Sequence, residues 1–394
     1  MKRPVVTVMF HSVGLHDHRW AYAHIAESPG SFEGKLAALR QSGFQTLTMA
    51  EAAAHTATSH GSSARRILLT LDDGYCDNWV YAYPLLMKYK MMATIFLTPT
   101  FVDPRPVVRP KSEDSEVIED VAGFLSWEEI REMEKSGLIE IQSHALTHTW
   151  YFSGPDVVDY WHPGAATEAG GPVWMLWNTF EQLKPFYLRN AAEYESRIPY
   201  GTPIYTHGKA LEVHRYTPNE PILLERLVGR VVQGGGPSFF QHPDWRQQLD
   251  MIVHETRNSY PPQGYWEMDE EYRRRVFHEL TESKRIIERK LDKDVYGICW
   301  PGGGVTEEVV ELARQAGYRY FTLPSRWKGT CARGPFQGML PRMSSVPRVR
   351  WRNRDLGEPS GREFLWMVER ERGSKWAGLP IRAAKLVRLI CNLR

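Results

Sequence analysis

The sequence is poor in cysteine, nearly balanced in charge and without a long apolar run, and each scarcity removes a class of protein. Cys76, Cys299, Cys331 and Cys391 are scattered through 394 residues with no C-x-x-C pair. That excludes a thiolate metal cluster or a disulfide framework as an organising feature. A formal net charge of only +2 lacks the basic excess of a dedicated nucleic-acid binder, so no nucleic-acid partner is expected. No stretch approaches the roughly 18 apolar residues of a spanning helix. The apolar run at residues 5–10 is too short for a secretion signal and has no small-residue cleavage site. The expectation is a soluble cytoplasmic protein. Aromatic residues, by contrast, are plentiful, with 14 Trp and 18 Tyr. Sugar faces stack on such rings, although core packing accounts for most aromatics in most proteins.

Apolar strands and amphipathic helices alternate in two blocks. Residues 5–10 read as a buried strand delivering His11, and 67–71 as a second ending in Asp72-Asp73-Gly74. Helices are expected over 31–42 and 78–90, and a strand over 93–97. Ser126-Trp127-Glu128-Glu129 has the form of a capping box opening a helix, followed by a strand over 139–142 that delivers Ser143-His144. The second block has a helix over 272–291, a strand over 296–300 leading into Pro301-Gly302-Gly303-Gly304, a helix over 307–316 and a strand over 320–322. Such alternation argues for parallel βαβ units in an α/β barrel or open sheet.

His144 and His148 lie four apart, so on one face of a helical turn both imidazoles would meet one cation. Two adjacent carboxylates after a buried strand would otherwise read as a turn. In an α/β barrel, however, all strand C-termini open onto one face, and there the two pairs would converge. Two histidines and one carboxylate leave positions open for water and substrate, the pattern of a catalytic metal site. The second carboxylate would then remain as a base, and a backbone N–H such as that of Tyr75 would face the oxyanion.

The strings Thr70-Leu71-Asp72-Asp73-Gly74, Ser143-His144-Ala145-Leu146-Thr147-His148 and Trp300-Pro301-Gly302-Gly303 resemble, in kind and order, the first three motifs of the polysaccharide deacetylases (carbohydrate esterase family 4, NodB homology). The resemblance covers roughly residues 1–148 and 265–345, and Glu282-Ser283-Lys284 extends it. It implies an α/β fold, a distorted (β/α)7-type barrel. It also implies Asp72 as catalytic base, Asp73, His144 and His148 as ligands of a divalent metal, usually zinc, and Tyr75, Pro301 and Gly302 on the oxyanion and substrate side. Two departures stand out. Cys299 occupies the position where many members carry a base-orienting arginine, which leaves Arg342 and Arg348 as candidates. No histidine follows His278, so the C-terminal catalytic acid of many members is missing; His11, in Phe10-His11-Ser12-Val13, resembles the N-terminal acid of members with permuted motifs.

Four segments are expected: 1–148 and 265–345 as the two parts of the barrel, 149–264 as an inserted subdomain, and 346–394 as a basic tail. Nothing in the insertion resembles a named motif. Trp174, Trp177, His207 and His214 stand there as candidates for a substrate groove or for core packing, and residues 198–203 as a turn-rich loop. In the tail, Arg382, Lys385 and Arg388 fall opposite Ala383, Val387, Ile390 and Cys391 on a helix. That is the signature of peripheral contact with an anionic membrane or of a helix docked on the core. The functional expectation is metal-dependent N-deacetylation of an N-acylated amino sugar or glycan intermediate, free or lipid-linked, in O-antigen or other cell-surface polysaccharide assembly at the inner face of the membrane. Alternatives are deformylation of a lipid-linked amino sugar, a carbohydrate-binding protein without catalysis, and a non-haem iron oxygenase, although the spacing suits the last poorly and leaves one aspartate unused.

Overall fold

The computed structural model describes residues 5–380 apart from 17, 19, 58–63, 114–120, 324–335, 346–349, 352–353 and 356. Arg348 and the basic stretch 381–394 therefore lie outside the described residues.

Seven parallel strands close on themselves. In chain order the strands up to Ser344 are β1 (Val6–Phe10), β2 (Gln45–Thr46), β3 (Arg66–Asp73), β4 (Ala93–Leu97), β5 (Ile139–Ser143), β6 (Trp150–Tyr160), β7 (Pro203–Lys209), β8 (Tyr216–Pro218), β9 (Gly264–Trp266), β10 (Gly297–Ile298), β11 (Tyr320–Leu323) and β12 (Leu340–Ser344). The barrel runs β1-β12-β11-β10-β5-β4-β3 and back to β1, with β2 paired beside β3. Closure rests on the β1–β3 ladder, which aligns Val6 with Ile67 and Phe10 with Leu71, and on β1–β12, which aligns Thr7 with Arg342. The expected distorted (β/α)7 barrel is the fold observed.

Period-two alternation sorts the strand residues between two environments. Val6, Val8, Phe10, Ile67, Leu69, Leu71, Ile95, Ile139 and Ile141 belong to the main core outside the barrel wall. Leu68, Phe96, Cys299 and Leu340 meet inside it, where Met49 joins them. Polar groups also face inward. Glu140 accepts from the Met49 N–H (2.9 Å), from Thr94 (2.6 Å) and from the Tyr296 hydroxyl, so its burial is matched by donors. At the C-terminal ends of the strands the inward positions are held by His11, Asp72, His144 and Arg342. The same alternation that fills the barrel thus aims these four at one place.

The helices are α1 (Pro29–Gln41), α2 (Met49–Ala57), α3 (Tyr83–Tyr89), α4 (Trp127–Lys135), α5 (Trp174–Thr179), α6 (Tyr187–Glu195), α7 (Pro221–Gln233), α8 (Trp245–Ser259), α9 (Asp269–Leu291), α10 (Glu307–Gln315) and α11 (Gly361–Glu371). The capping box of α4 forms as expected, Ser126 Oγ accepting from the Glu129 N–H and Glu129 from the Ser126 N–H. The expected 78–90 helix is instead a π-helical stretch, Asn78–Ala82, followed by α3. The strand expected over 296–300 shortens to Gly297–Ile298, because Pro301 opens a 3-10 turn.

Residues 150–266 are far from structureless. Strands β6 and β7 form a long antiparallel hairpin with register shifts between Phe152 and Val157 and between Val157 and Asp159. Gly154 and Pro155 in β6 explain why no clean alternation marks it. Trp161, Trp174, Trp177 and Ile204 share the main core, whereas Leu223, Leu227, Val231, Phe239 and Leu249 pack with Tyr160 as a small core of their own.

Helix α11 crosses α1 so closely that a Cβ on Gly361 would lie 2.1 Å from the Gly34 carbonyl oxygen. The crossing lets Phe364 pack near Phe10, which also meets Phe32 edge-on. Gly361→Ala should therefore lower stability by about 1–3 kcal/mol through forced backbone movement. Gly30→Ala, where the added methyl meets nothing within 4 Å, should be neutral or slightly stabilising; urea denaturation of both variants checks the contrast.

Candidate metal centre and catalytic pocket

Asp72 and Asp73 are neighbours on a strand, where alternation should send them to opposite faces. Asp73, however, has φ of 76° and Gly74 follows at 82°. Leaving the extended conformation one residue early swings Asp73 back over the barrel mouth beside Asp72. Aspartate tolerates this left-handed region better than most residues, and a Cβ on Gly74 would fall 2.6 Å from Leu97.

His144 and His148 come together without a helix. The expected helical turn is replaced by a loop with Ala145 at φ 57° and His148 at φ 46°. Both Nε2 atoms point at one carboxylate oxygen, Asp73 Oδ1, at 3.3 Å each. Of the five non-glycine residues with positive φ among the described residues, these two and Asp73 make three, so backbone strain concentrates at the site.

This group suits a divalent cation. Asp73 Oδ1 is buried with no hydrogen-bond partner, an arrangement that normally costs free energy unless something else meets the oxygen. The donor atoms of Asp73, His144 and His148 all lie within 4.8 Å of one another. His144 Nδ1 lies 2.8 Å from the Cys299 carbonyl oxygen, so Nδ1–H donates there and Nε2 is the atom offered to a metal, as in most metal-binding histidines. Burial pushes His148 down to about 4, against Asp73, which leaves its imidazole neutral at pH 7. Asp73 stays ionised although burial opposes it, because His148 and His144 pull its pKa below the usual range.

A second group, Asp72, His144 and Cys299, is equally compact, but it suits a cation badly. Both Asp72 oxygens already accept from Arg342 Nη1, at 2.7 and 2.8 Å, and a guanidinium in contact repels a metal ion. Cys299 Sγ stands 3.6 Å from Asp72 Oδ2. Arg342, expected as a candidate, thus supplies from β12 the guanidinium absent at position 299. Burial would raise the Asp72 pKa, but Arg342, then His144 and His11, lower it overall. His11 Nε2 lies 3.8 Å from Asp72 Oδ2, and burial lowers the His11 pKa.

Around these groups opens a cavity of about 570 Å³ lined by His11, Tyr22, Tyr75, Trp177, Tyr187, Lys209, Trp300 and Gly302. The Tyr75 hydroxyl bonds Asp73. The bridge between Tyr75 and Phe124 uses the N–H of Cys76 and the carbonyl of Gly74, which leaves the Tyr75 N–H out of that ladder. Pro301 departs from expectation: it is buried and lines a narrow cleft beside His148, while Gly302 and Gly303 face the cavity. Trp177 lines the cavity, whereas Trp174 packs against Phe152 and His207, and His214 sits edge-on to Tyr272. Tyr22, Tyr187 and Lys209 went unread because they come from loops and from the insertion, where no spacing signals a shared pocket.

Residues 59–169 match the family model described as polysaccharide deacetylase. That matched segment holds Asp72, Asp73, His144 and His148. A putative polysaccharide deacetylase of Bacillus subtilis, YxkH, is 34% identical over 117 residues, 30% of this chain and 36% of that protein. The poly-β-1,6-N-acetyl-D-glucosamine N-deacetylase of Escherichia coli K12 is 27% identical over 167 residues, 42% of this chain and 22% of that one. The chain thus spans about a third and about a fifth of these curated relatives. Among solved structures, the BpsB deacetylase domain of Bordetella bronchiseptica aligns with 86% of this chain and 95% of its own, at 18% identity and a TM-score of 0.48.

The two aspartates have different neighbours, two imidazoles for Asp73 and a guanidinium for Asp72, and metal titration tests a difference in role. Asp73→Asn and His148→Gln should each weaken zinc binding by more than about a hundredfold, beyond the 10–100-fold usual for residues outside the ligand set. Asp72→Asn should leave it within a few-fold, measured by competition with a chromogenic chelator.

Proposed function

We propose that this protein is a metal-dependent hydrolase that removes the N-acetyl group from an amino sugar within a glycan. The observation that carries the reading is the division of labour between adjacent carboxylates: Asp73 faces two imidazoles and Asp72 faces a guanidinium. Zinc is the metal we assign. A divalent cation at Asp73, His144 and His148 would polarise the amide carbonyl and make water easier to deprotonate near neutral pH.

The remaining chemistry belongs to the chain. Asp72, ionised and held by both oxygens against Arg342, accepts the proton of the attacking water. The Tyr75 N–H is the donor assigned to the developing oxyanion. His11, whose Nε2 lies 3.8 Å from Asp72 Oδ2, is assigned the relay of the proton that Asp72 takes from water on to the departing amine, which leaves Asp72 ionised again. Tyr22, Trp177, Tyr187 and Trp300 supply aromatic faces for a sugar ring, and a cavity of this size falls within the range of small-ligand sites. The N-deacetylase name of the Escherichia coli relative supports an N-acetylated glucosamine polymer as the substrate class; cell-surface polysaccharide assembly, O-antigen included, as the setting and a lipid-linked intermediate among the substrates belong to the proposal alone. The reading as a binding protein without catalysis loses its motive, because Arg342 fills the role left by Cys299.

Release of acetate and formate from N-acylated amino sugars, supplied free, polymeric and lipid-linked, tests this reading. Acetate release should depend on metal and fall by about 10²–10⁴-fold in Asp72→Asn; a metal-loaded protein that releases neither acid from any substrate would refute hydrolysis. Arg342→Met should cost about a hundredfold in kcat/KM with zinc affinity within a few-fold of wild type, and Arg342→Lys should recover part of it, since a lysine restores the charge but not the planar fork.

A further inference from the structure

The loop that carries both imidazoles does not hold itself. Left-handed backbone at Ala145 and His148 is unfavourable for residues with a Cβ, so groups outside the loop must maintain it. Glu279 of α9, 5% exposed, is the first. Its Oε2 accepts from the N–H groups of Leu146 (3.2 Å) and Thr147 (3.0 Å), and its Oε1 accepts from the Thr147 hydroxyl (2.6 Å). One turn further along α9, Ser283 Oγ lies 2.8 Å from Ser143 Oγ, which itself accepts from the Ala145 N–H at 3.1 Å. The Thr100 hydroxyl donates to the Leu146 carbonyl at 2.9 Å.

The last brace comes from the inserted segment. The Lys184 ammonium, 4% exposed, donates to the Thr147 carbonyl and lies 5.1 Å from the Phe101 ring centre and 5.4 Å from that of Trp177. Thr147, the residue before His148, is therefore clamped from two sides: a carboxylate takes its N–H and hydroxyl, and an ammonium meets its C=O. Charge-assisted hydrogen bonds of this kind are about twice as strong as neutral ones. Neither Glu279 nor Lys184 is among the residues that line the pocket above the ligands.

We propose that Glu279 and Lys184 are positioning residues for the metal centre, fixing the Thr147–His148 backbone so that His148 Nε2 reaches Asp73, and that through Lys184 the inserted segment sets the affinity of the centre. The inference rests on the metal-centre reading above. It gives residues 150–266 a part in the chemistry besides lining the pocket. It also explains why a lysine is kept in an aromatic surround that pushes its pKa down to about 7 by burial, against Glu279 and Glu181.

Zinc titration of the full chain against a competing chelator tests the proposal, with far-UV circular dichroism and melting temperature read in parallel. Glu279→Ala should weaken zinc binding by about 10–100-fold, and Lys184→Met by about tenfold, the range found for groups that hold metal ligands in place. Because the two act on one residue, Thr147, the double variant should lose less than the product of the single losses. Glu279→Gln, which keeps the shape and one acceptor, should fall between wild type and Glu279→Ala and carries the test where the alanine variant does not fold. Glu282→Gln, on the same helix but paired with Arg285, should leave affinity unchanged. Lower melting temperatures with unchanged zinc affinity would mark Glu279 and Lys184 as structural only and overturn the proposal. A wild-type chain that binds no zinc would instead contradict the metal centre itself.

Discussion

The left-handed turn of the backbone at Asp73 is the constraint on which the site depends. With an ordinary extended conformation there, Asp72 and Asp73 would face opposite sides of β3, one inside the barrel and one in the outer core. The turn places both over the barrel mouth, and their surroundings then divide them. Asp73 meets two imidazoles, and Asp72 meets a guanidinium. Strain of a few kcal/mol at Asp73, Ala145 and His148 is sustained because a closed barrel fixes the strand ends on either side of each loop. A divalent cation would add the attraction that draws these three residues together.

Closure of the barrel also explains how the site tolerates Cys299. The guanidinium that meets Asp72 comes from β12, which pairs with β1 and β11, not from the β10 end where the resemblance to the family would place it. Arg342 and position 299 both point into the barrel beside Asp72, so either strand end brings a side chain to the same carboxylate. The thiol of Cys299 lies against Asp72, and its carbonyl fixes the tautomer of His144. One residue therefore touches both Asp72 and His144.

Much of this architecture was legible in the sequence, and the reasons differ by element. The strands ending at Phe10 and Asp73 were readable because both of their faces are buried, which gives mainly apolar runs, and the one ending at Ser143 because Ile139 and Ile141 alternate with Glu140 and Gln142. Asp72, Asp73 and His144 were readable because they stand at those strand ends. Strand β12 was not, because Arg342 and Ser344 share the inward face with Leu340, which leaves only Leu340 and Met343 as buried apolar residues in five. The His144–His148 spacing suggested a helical turn, but the loop conformation is imposed by Glu279 and Lys184, more than thirty residues away in sequence. The hairpin of β6 and β7 was hidden by its irregular register, and Trp177 and Tyr187 by their place in a segment with no periodicity. Local pattern reports what a strand end delivers; it does not report what distant chain folds over it.

The central claim is that the cation takes Asp73 and leaves Asp72 free as base. X-ray absorption spectroscopy of the zinc-loaded protein tests it most directly, because the competing group of Asp72, His144 and Cys299 contains a thiolate donor and the claimed group contains none. The account predicts a ligand shell of oxygen and nitrogen only, with two imidazoles. A sulfur scatterer at about 2.3 Å, the usual zinc–thiolate distance, would place the metal on Asp72 and Cys299 and contradict it.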